Sequence, residues 1–251
     1  MLKPRVIACL DVAGGTVVKG RQFADLVPLG APDVLARRYE AEGADELVLL
    51  DITATREGRT ADLATVERVA KSLTIPLTVG GGIATWQQAG SILAAGADKV
   101  TVNTAALDRP VLLTDMADRF GSQAVVVAVD VRREQDHWRV YAAGGARATG
   151  WTLCSWLPHA VAQGAGEVLL TSIDRDGTGM GYDVAALARA AQLVSCPIIA
   201  SGGASEASQM AEALAVKGVT GVLVAGVLHR GETTVGKLKQ QLRDQGVVLR
   251  V

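Results

Sequence analysis

The sequence predicts a closed eight-stranded α/β fold, a (β/α)8 TIM barrel built from two repeated (β/α)4 half-barrels. The first observation is the run Val125-Val126-Val127-Ala128-Val129-Asp130, which reads as a parallel strand covered on both faces and ending in a carboxylate. Arg5-Val6-Ile7-Ala8-Cys9-Leu10-Asp11 has the same shape and the same terminal Asp. The second is an internal repeat at a displacement of about 121 positions. Gly43-Ala44-Asp45-Glu46-Leu47-Val48-Leu49-Leu50 returns as Gly164-Ala165-Gly166-Glu167-Val168-Leu169-Leu170-Thr171. Ile75-Pro76-Leu77-Thr78-Val79-Gly80-Gly81-Gly82 returns as Cys196-Pro197-Ile198-Ile199-Ala200-Ser201-Gly202-Gly203, and Gly96-Ala97-Asp98-Lys99-Val100-Thr101-Val102-Asn103 as Gly218-Val219-Thr220-Gly221-Val222-Leu223-Val224-Ala225. The third is length, since 251 residues match the roughly 250 of such a barrel. One domain over 1–251 follows, with half-barrels at approximately 1–120 and 121–251.

Composition narrows the function classes. Hydrophobic residues make up 49%, enough for one core, and with 4% aromatics the packing falls to Ala, Val and Leu. A formal net charge of -1 gives no reason to expect nucleic acid or an anionic membrane as a partner. No apolar run has the length of a membrane span, and Met1-Leu2-Lys3-Pro4 leads into a strand with no signal peptide ahead of it. Cys9, Cys154 and Cys196 are an odd number without paired spacing, which fits a reducing compartment, the cytoplasm. His137, His159 and His229 have no zinc-like spacing, so no metal is expected.

In chain order, the first strand covers about 5–11 and opens into a glycine-rich loop over 12–30 with Lys19 at its middle. A connection so long is a lid or binding loop by its length; Lys19 is either a substrate contact or a solvated charge. Helices are expected over 32–42, from Pro32, and over 61–72, with Asp62, Glu67 and Arg68 on the wet side. Between them a strand ends in Asp51, which either joins the chemistry or accepts hydrogen bonds from the loop behind it. The third helix starts at Thr85. After Asp130 comes a hairpin, with His137-Trp138-Arg139-Val140-Tyr141 as a short strand and 144–150 as a flexible approach to a helix over 152–163. Trp138, Trp151 and Trp156 read as packing residues. Further helices are expected over 183–193 and 233–244.

Anion-binding chemistry gathers at the strand ends. Gly80-Gly81-Gly82 with Asn103-Thr104, and Ser201-Gly202-Gly203 with Ala225-Gly226, form two pairs of adjacent loops in register with the repeat. Glycine lets a ligand approach the backbone, and free amides at a helix start attract an anion. Two such pairs predict a ligand with a phosphate at each end; the plainer alternative is that the glycines serve tight turns. Thr171 and the loop Ile173-Asp174-Arg175-Asp176-Gly177 lie above the same mouth, where the Gly177 amide rather than the Asp176 carboxylate would meet a phosphate. Strands one and five stand opposite each other in an eight-stranded barrel, so Asp11 and Asp130 bracket the centre of an elongated ligand. Two carboxylates there can divide acid and base duties. Arg5, Glu46, Lys99 and Glu167 fall at strand starts, at the other mouth. They form either a salt-bridged plug or a constriction through which something small passes, and bottom-face residues are usually structural.

Specific strings carry a resemblance across essentially the whole chain. Ile7-Ala8-Cys9-Leu10-Asp11-Val12, Gly15-Thr16-Val17-Val18-Lys19-Gly20, Leu50-Asp51-Ile52-Thr53-Ala54, Thr78-Val79-Gly80-Gly81-Gly82-Ile83, Leu170-Thr171-Ser172-Ile173-Asp174-Arg175-Asp176-Gly177-Thr178 and Ala200-Ser201-Gly202-Gly203 resemble the cyclase subunits of imidazole glycerol phosphate synthases in histidine biosynthesis. The resemblance implies a cofactor-independent lyase acting on a bisphosphorylated formimino aminoimidazole carboxamide ribonucleotide. It implies a heterodimer in which a glutaminase subunit docks on the N-terminal face, near Asp98, and feeds ammonia through a gate formed by Arg5, Glu46, Lys99 and Glu167. Asp11 and Asp130 are then catalytic, and Cys9, Lys19, Asp51, Gly81, Gly82, Asn103, Thr104, Thr171, Asp176, Gly177, Ser201, Gly202, Gly203, Ala225 and Gly226 surround the substrate. The chain departs from the family pattern at Gly226, where Ser is general, at Arg147-Ala148, where a basic pair is common, and at Arg230, where an aromatic is usual. Rival readings are the sister isomerase, which rearranges an aminoaldose on the same two Asp residues, and a non-enzymatic bisphosphate-binding barrel.

Overall fold

The computed structural model describes residues 3–21 and 24–250. In chain order it contains β1 (Arg5–Ala13), β2 (Thr16–Arg21), β3 (Ala24–Gly30), α1 (Pro32–Ala41), β4 (Glu46–Asp51), α2 (Leu63–Ser72), β5 (Leu77–Gly80), α3 (Trp86–Ala94), β6 (Lys99–Val102), α4 (Thr104–Asp108) and α5 (Val111–Phe120). The second half adds β7 (Val125–Glu134), β8 (His137–Ala142), β9 (Arg147–Thr152), α6 (Leu153–Ala162), β10 (Glu167–Ser172), α7 (Val184–Leu193), β11 (Ile198–Ser201), α8 (Ala207–Leu214), β12 (Val219–Val224), α9 (Gly226–His229) and α10 (Val235–Asp244). Eight strands pair in parallel in the order β1, β4, β5, β6, β7, β10, β11, β12, and β12 pairs back to β1, which closes the barrel.

Alternation along each strand sorts the side chains into two cores. Ile7, Cys9, Val48, Val126, Leu169, Ile199 and Leu223 form a small cluster inside the barrel. The residues between them, such as Val6, Ala8, Leu47, Leu49, Val127 and Val168, pack outward under the helices with Tyr39, Met116 and Trp156. Helix starts are set by side-chain caps: Asp62 accepts from Thr65 N, Thr85 forms a capping box with Gln88, and Asp183 accepts from Ala186 N. Asp62 therefore ends the loop before α2 rather than lying on its wet face.

Two segments differ from their expected form. The stretch 12–30 is not an open loop: β1 runs on to Ala13, and β2 folds back on it with Val12 opposite Val17 and Ala13 opposite Thr16. Gly14 and Gly15, at φ +57° and +75°, supply the two left-handed residues that a tight hairpin turn of this hand requires. Gln22 and Phe23, within the same stretch, lie outside the described residues, as do Met1 and Leu2. The approach 144–150 is likewise a strand for most of its length, β9, paired with β8 through Tyr141 and Ala148. Trp138 belongs to this three-stranded flap, and its Nε1 donates to Asp183 at 2.9 Å.

Candidate active site

Alternation decides which strand-end residues reach the mouth. Asp11 shares the inward parity of Arg5, Ile7 and Cys9, and Asp130 that of Val126 and Ala128. Burial pushes Asp11 up to about 6 against the downward pull of the Lys19 ammonium, with the Asp176 charge adding to the rise. Asp130 is pushed up to about 7 by burial, opposed by a hydrogen bond from Asn103, and Asp176 again adds to the rise. One carboxyl is therefore mostly ionised and the other about half protonated near neutral pH, the division that general acid and base work needs. Cys9 Sγ lies 3.8 Å from Asp11 Oδ1, and burial followed by the Asp11 charge raises its thiol well above the ordinary range. A thiol held neutral there is not a nucleophile.

Neighbouring groups fix these carboxylates. Asn103 Nδ2 donates to Asp130 Oδ2 at 2.8 Å and to the Tyr141 carbonyl at 3.3 Å, while its buried Oδ1 has no partner among the described residues. Thr171 sits in the sheet between Asp130 and Ser201, opposite both in register. Thr104 Oγ1 accepts from Ala143 N at 2.9 Å and so ties the end of β6 to the flap.

Asp51 has the opposite parity. It follows Leu47 and Leu49 to the outer side, and its Oδ1 accepts from Thr53 N, Ala54 N and Arg59 Nη2 at 3.3, 3.1 and 3.2 Å. Arg59 Nη1 binds Oδ2. The carboxylate thus organises the loop after β4 rather than facing the mouth. Arg59 was not singled out in the sequence, where a loop arginine between Glu57 and Thr60 gives no sign of its partner.

The glycine loops are also committed internally. A Cβ on Gly81 would strike the Asp51 carbonyl oxygen, and one on Gly82, at φ +65°, the Arg59 carbonyl. Gly202 and Gly203 stand in the same relation to the carbonyls of Ser172 and Gly181. Close loop packing is therefore a sufficient reason for these four glycines. Gly177, at φ +73°, has open space around it and serves a left-handed turn. Ala225 leads directly into α9, whose first residue is Gly226. A cleft of about 700 Å³ lined by Gly14, Gly15, Asp51, Arg59 and Asp62 opens on the flank of the mouth, and neither Asp11 nor Asp130 lines it.

At the opposite end, Arg5, Glu46, Lys99 and Glu167 form a closed ring of alternating charge. Arg5 binds Glu46 at 2.7 Å and also Glu167; Lys99 binds Glu46 at 2.9 Å and Glu167 at 2.7 Å. Thr78 Oγ1 adds a hydrogen bond to Glu46 at 2.9 Å. Burial alone would raise the Glu167 carboxyl, yet Arg5 and Lys99 hold it below the usual range. Asp98, exposed on this face, accepts from Leu77 N at 2.8 Å. The three histidines are scattered: His137 beside Glu134, His159 stacked on Trp151, and His229 against the Tyr39 hydroxyl at 2.7 Å. Among the described residues no cluster of three or more His, Cys, Asp or Glu has metal-binding geometry.

A closed parallel barrel with acidic groups gathered at its C-terminal mouth is the arrangement of the (β/α)8 enzymes. The chain belongs to the histidine biosynthesis protein family, whose sequence pattern matches residues 5–234. It is 52% identical to the imidazole glycerol phosphate synthase subunit HisF of Myxococcus xanthus over 250 residues, covering 100% of this chain and 99% of the relative. It is 50% identical to the subunit of the same name from Anoxybacillus flavithermus over 252 residues, and 47% identical to that of Halalkalibacterium halodurans, with full coverage of both chains in each case.

Proposed function

We propose that this chain is the cyclase of an imidazole glycerol phosphate synthase and closes the imidazole ring of imidazole glycerol phosphate in histidine biosynthesis. The observation that carries the reading is the pair Asp11 and Asp130, inward-facing at the mouth with carboxyl groups raised to about 6 and about 7, in a chain with relatives of that name along its whole length. Ammonia attacks the ketone of the phosphoribulosyl arm. Asp11 removes a proton from the attacking nitrogen and Asp130, protonated, delivers one to the ketone oxygen, which gives the carbinolamine. A second proton passes from the nitrogen to the hydroxyl by the same two groups as it leaves as water, which yields the imine. Closure onto the formimino carbon then expels aminoimidazole carboxamide ribonucleotide, with the two carboxyls exchanging roles between steps.

Gly81, Gly82, Asn103 and Thr104 hold one phosphate, and Gly177, Ser201, Gly202, Gly203, Ala225 and Gly226 the other. Lys19 covers the substrate between them, with Cys9, Thr171 and Asp176 lining the centre and Asp51 bracing the first loop pair through Arg59. A glutaminase subunit docks on the N-terminal face near Asp98 and releases ammonia at the ring of Arg5, Glu46, Lys99 and Glu167, which opens to admit it. The free thiols Cys9, Cys154 and Cys196 suit a reducing cytoplasm.

Turnover of the bisphosphorylated formimino ribonucleotide with ammonium salt tests the reaction. Wild type is expected to form imidazole glycerol phosphate, and Asp11→Asn and Asp130→Asn to lose about 10²–10⁴-fold in kcat. Consumption of the isomerase's aminoaldose precursor in place of this substrate would assign the chain to the sister activity.

A further inference from the structure

The end of β12 carries a feature that the family pattern does not explain. Gly226 has no left-handed φ, so its backbone conformation does not call for glycine. A Cβ placed on it would lie 3.0 Å from Arg230 Nη1 and 3.5 Å from Lys19 Cε. The glycine therefore makes room for a guanidinium, one turn of α9 further on. Arg230 is held in place by Glu232, which accepts from its Nε and, at 3.0 Å, from its Nη2. Nη1 is left facing Gly226 with no hydrogen-bond acceptor among the described residues. Lys19, arriving from β2, makes no ion pair with a described residue.

Two cations thus converge on one residue: Glu232 pairs with Arg230, and the Asp11 carboxylate is the acidic group within reach of the Lys19 charge. Like charges brought together this way repel unless an anion lies between them. The neighbouring imidazole of His229 adds no charge of its own, since burial and then Lys19 and Arg230 lower it to about 4.

We propose that Arg230 is a phosphate-binding residue of this chain, that its Nη1 and Lys19 together hold a phosphate monoester dianion over Gly226, and that Gly226 and Arg230 act as an interdependent pair. This rests on the reading of the β11 and β12 ends as a phosphate site, and deepens it: a guanidinium adds a charged donor to the backbone amides there. An arginine N–H to phosphate is charge-assisted, where a serine hydroxyl offers one neutral donor. A side chain at Gly226 with Arg230 in place makes the guanidinium give way by a few tenths of an ångström, away from the position over Gly226.

Titration of the full chain with inorganic phosphate, followed through amide resonances, separates the two loop pairs. Gly203 and Gly226 report on this one, Gly82 and Thr104 on the other. In Arg230→Ala the Kd read at Gly203 is expected to rise about tenfold while that at Gly82 stays within about twofold. Gly226→Ser alone is expected to weaken binding at Gly203 as well, and Gly226→Ser combined with Arg230→Phe to bring it back to within about threefold of wild type. An unchanged Kd at Gly203 in Arg230→Ala overturns the proposal. So does wild-type turnover of the bisphosphate with no phosphate response at Gly203 and Gly226, which leaves the cyclase reading standing. Phosphate bound there and weakened by Arg230→Ala, in a chain that does not turn the bisphosphate over, upholds the site and overturns the reaction instead.

Discussion

At the scale of single residues, the mouth of the barrel stores ionisation energy. In the unfolded chain an aspartate titrates at about 3.9. Burial raises Asp130 to about 7 in the folded state, so between these values the folded chain binds more protons than the unfolded one. Stability contributed by protonated Asp130 is full at low pH and is lost as pH rises through about 7. Asp130→Asn, which has no charge to bury, should therefore gain roughly 2 kcal/mol on wild type between pH ~5 and ~8. Thermal unfolding of both proteins at the two pH values measures it, and a constant difference would mean that Asp130 titrates as an ordinary carboxyl. The same residue shows what the sequence conceals. That Asp130 faces inward follows from counting along its strand, whereas its bond from Asn103 joins β7 to the residue between β6 and α4 and has no local signature.

At the scale of elements, the third strand of the flap, β9, and the first hairpin are the parts that departed from expectation, while the hairpin of β7 and β8 is as expected. Gly14-Gly15 between Val12-Ala13 and Thr16-Val17-Val18 is a hairpin signal that a reading of 12–30 as one long loop passes over. One of the contacts that anchor the flap to the helix layer is Trp138 Nε1 to Asp183 Oδ2, and the other oxygen of the same carboxylate caps α7 through Ala186 N at 3.0 Å. Asp183→Ala removes both and is expected to cost about 2 kcal/mol, whereas Trp138→Phe removes one and should cost about 1 kcal/mol. Urea unfolding of the two variants checks the order. Equal losses would show that the cap contributes nothing.

At the scale of the whole molecule, closure brings the last helix onto the first strands. Lys239 of α10 is buried, donating to Asp45 Oδ1 at 2.8 Å and to the Gly43 carbonyl at 3.0 Å, while Asp45 Oδ2 accepts from Val6 N at 2.8 Å. This pair fastens α10 to the starts of β1 and β4. Lys239→Met leaves the Asp45 carboxylate buried without its cation and should cost about 3–5 kcal/mol. Adding Asp45→Asn should return part of that loss in denaturant unfolding; no recovery would mean that lost packing of the lysine stem, not the stranded charge, sets the cost.

The sequence by itself determined the barrel, its repeated halves, and the strand ends on which Asp11, Asp130 and the four charges of the opposite mouth lie, while it left the direction of Asp51 open. These follow from a period of two along buried strands and from a repeat that recurs in register, both local properties of the chain. Parity counted on the observed strands separates Asp11 and Asp130 from Asp51, and places Arg5, Glu46, Lys99 and Glu167 on one inner layer. Only the tertiary structure decided which polar group meets which. Arg59 takes Asp51, Asn103 takes Asp130, and Arg230 turns over Gly226. A buried polar atom is satisfied by whatever donor the closed barrel sets beside it, and that neighbour depends on loops whose course the hydrophobic pattern does not specify.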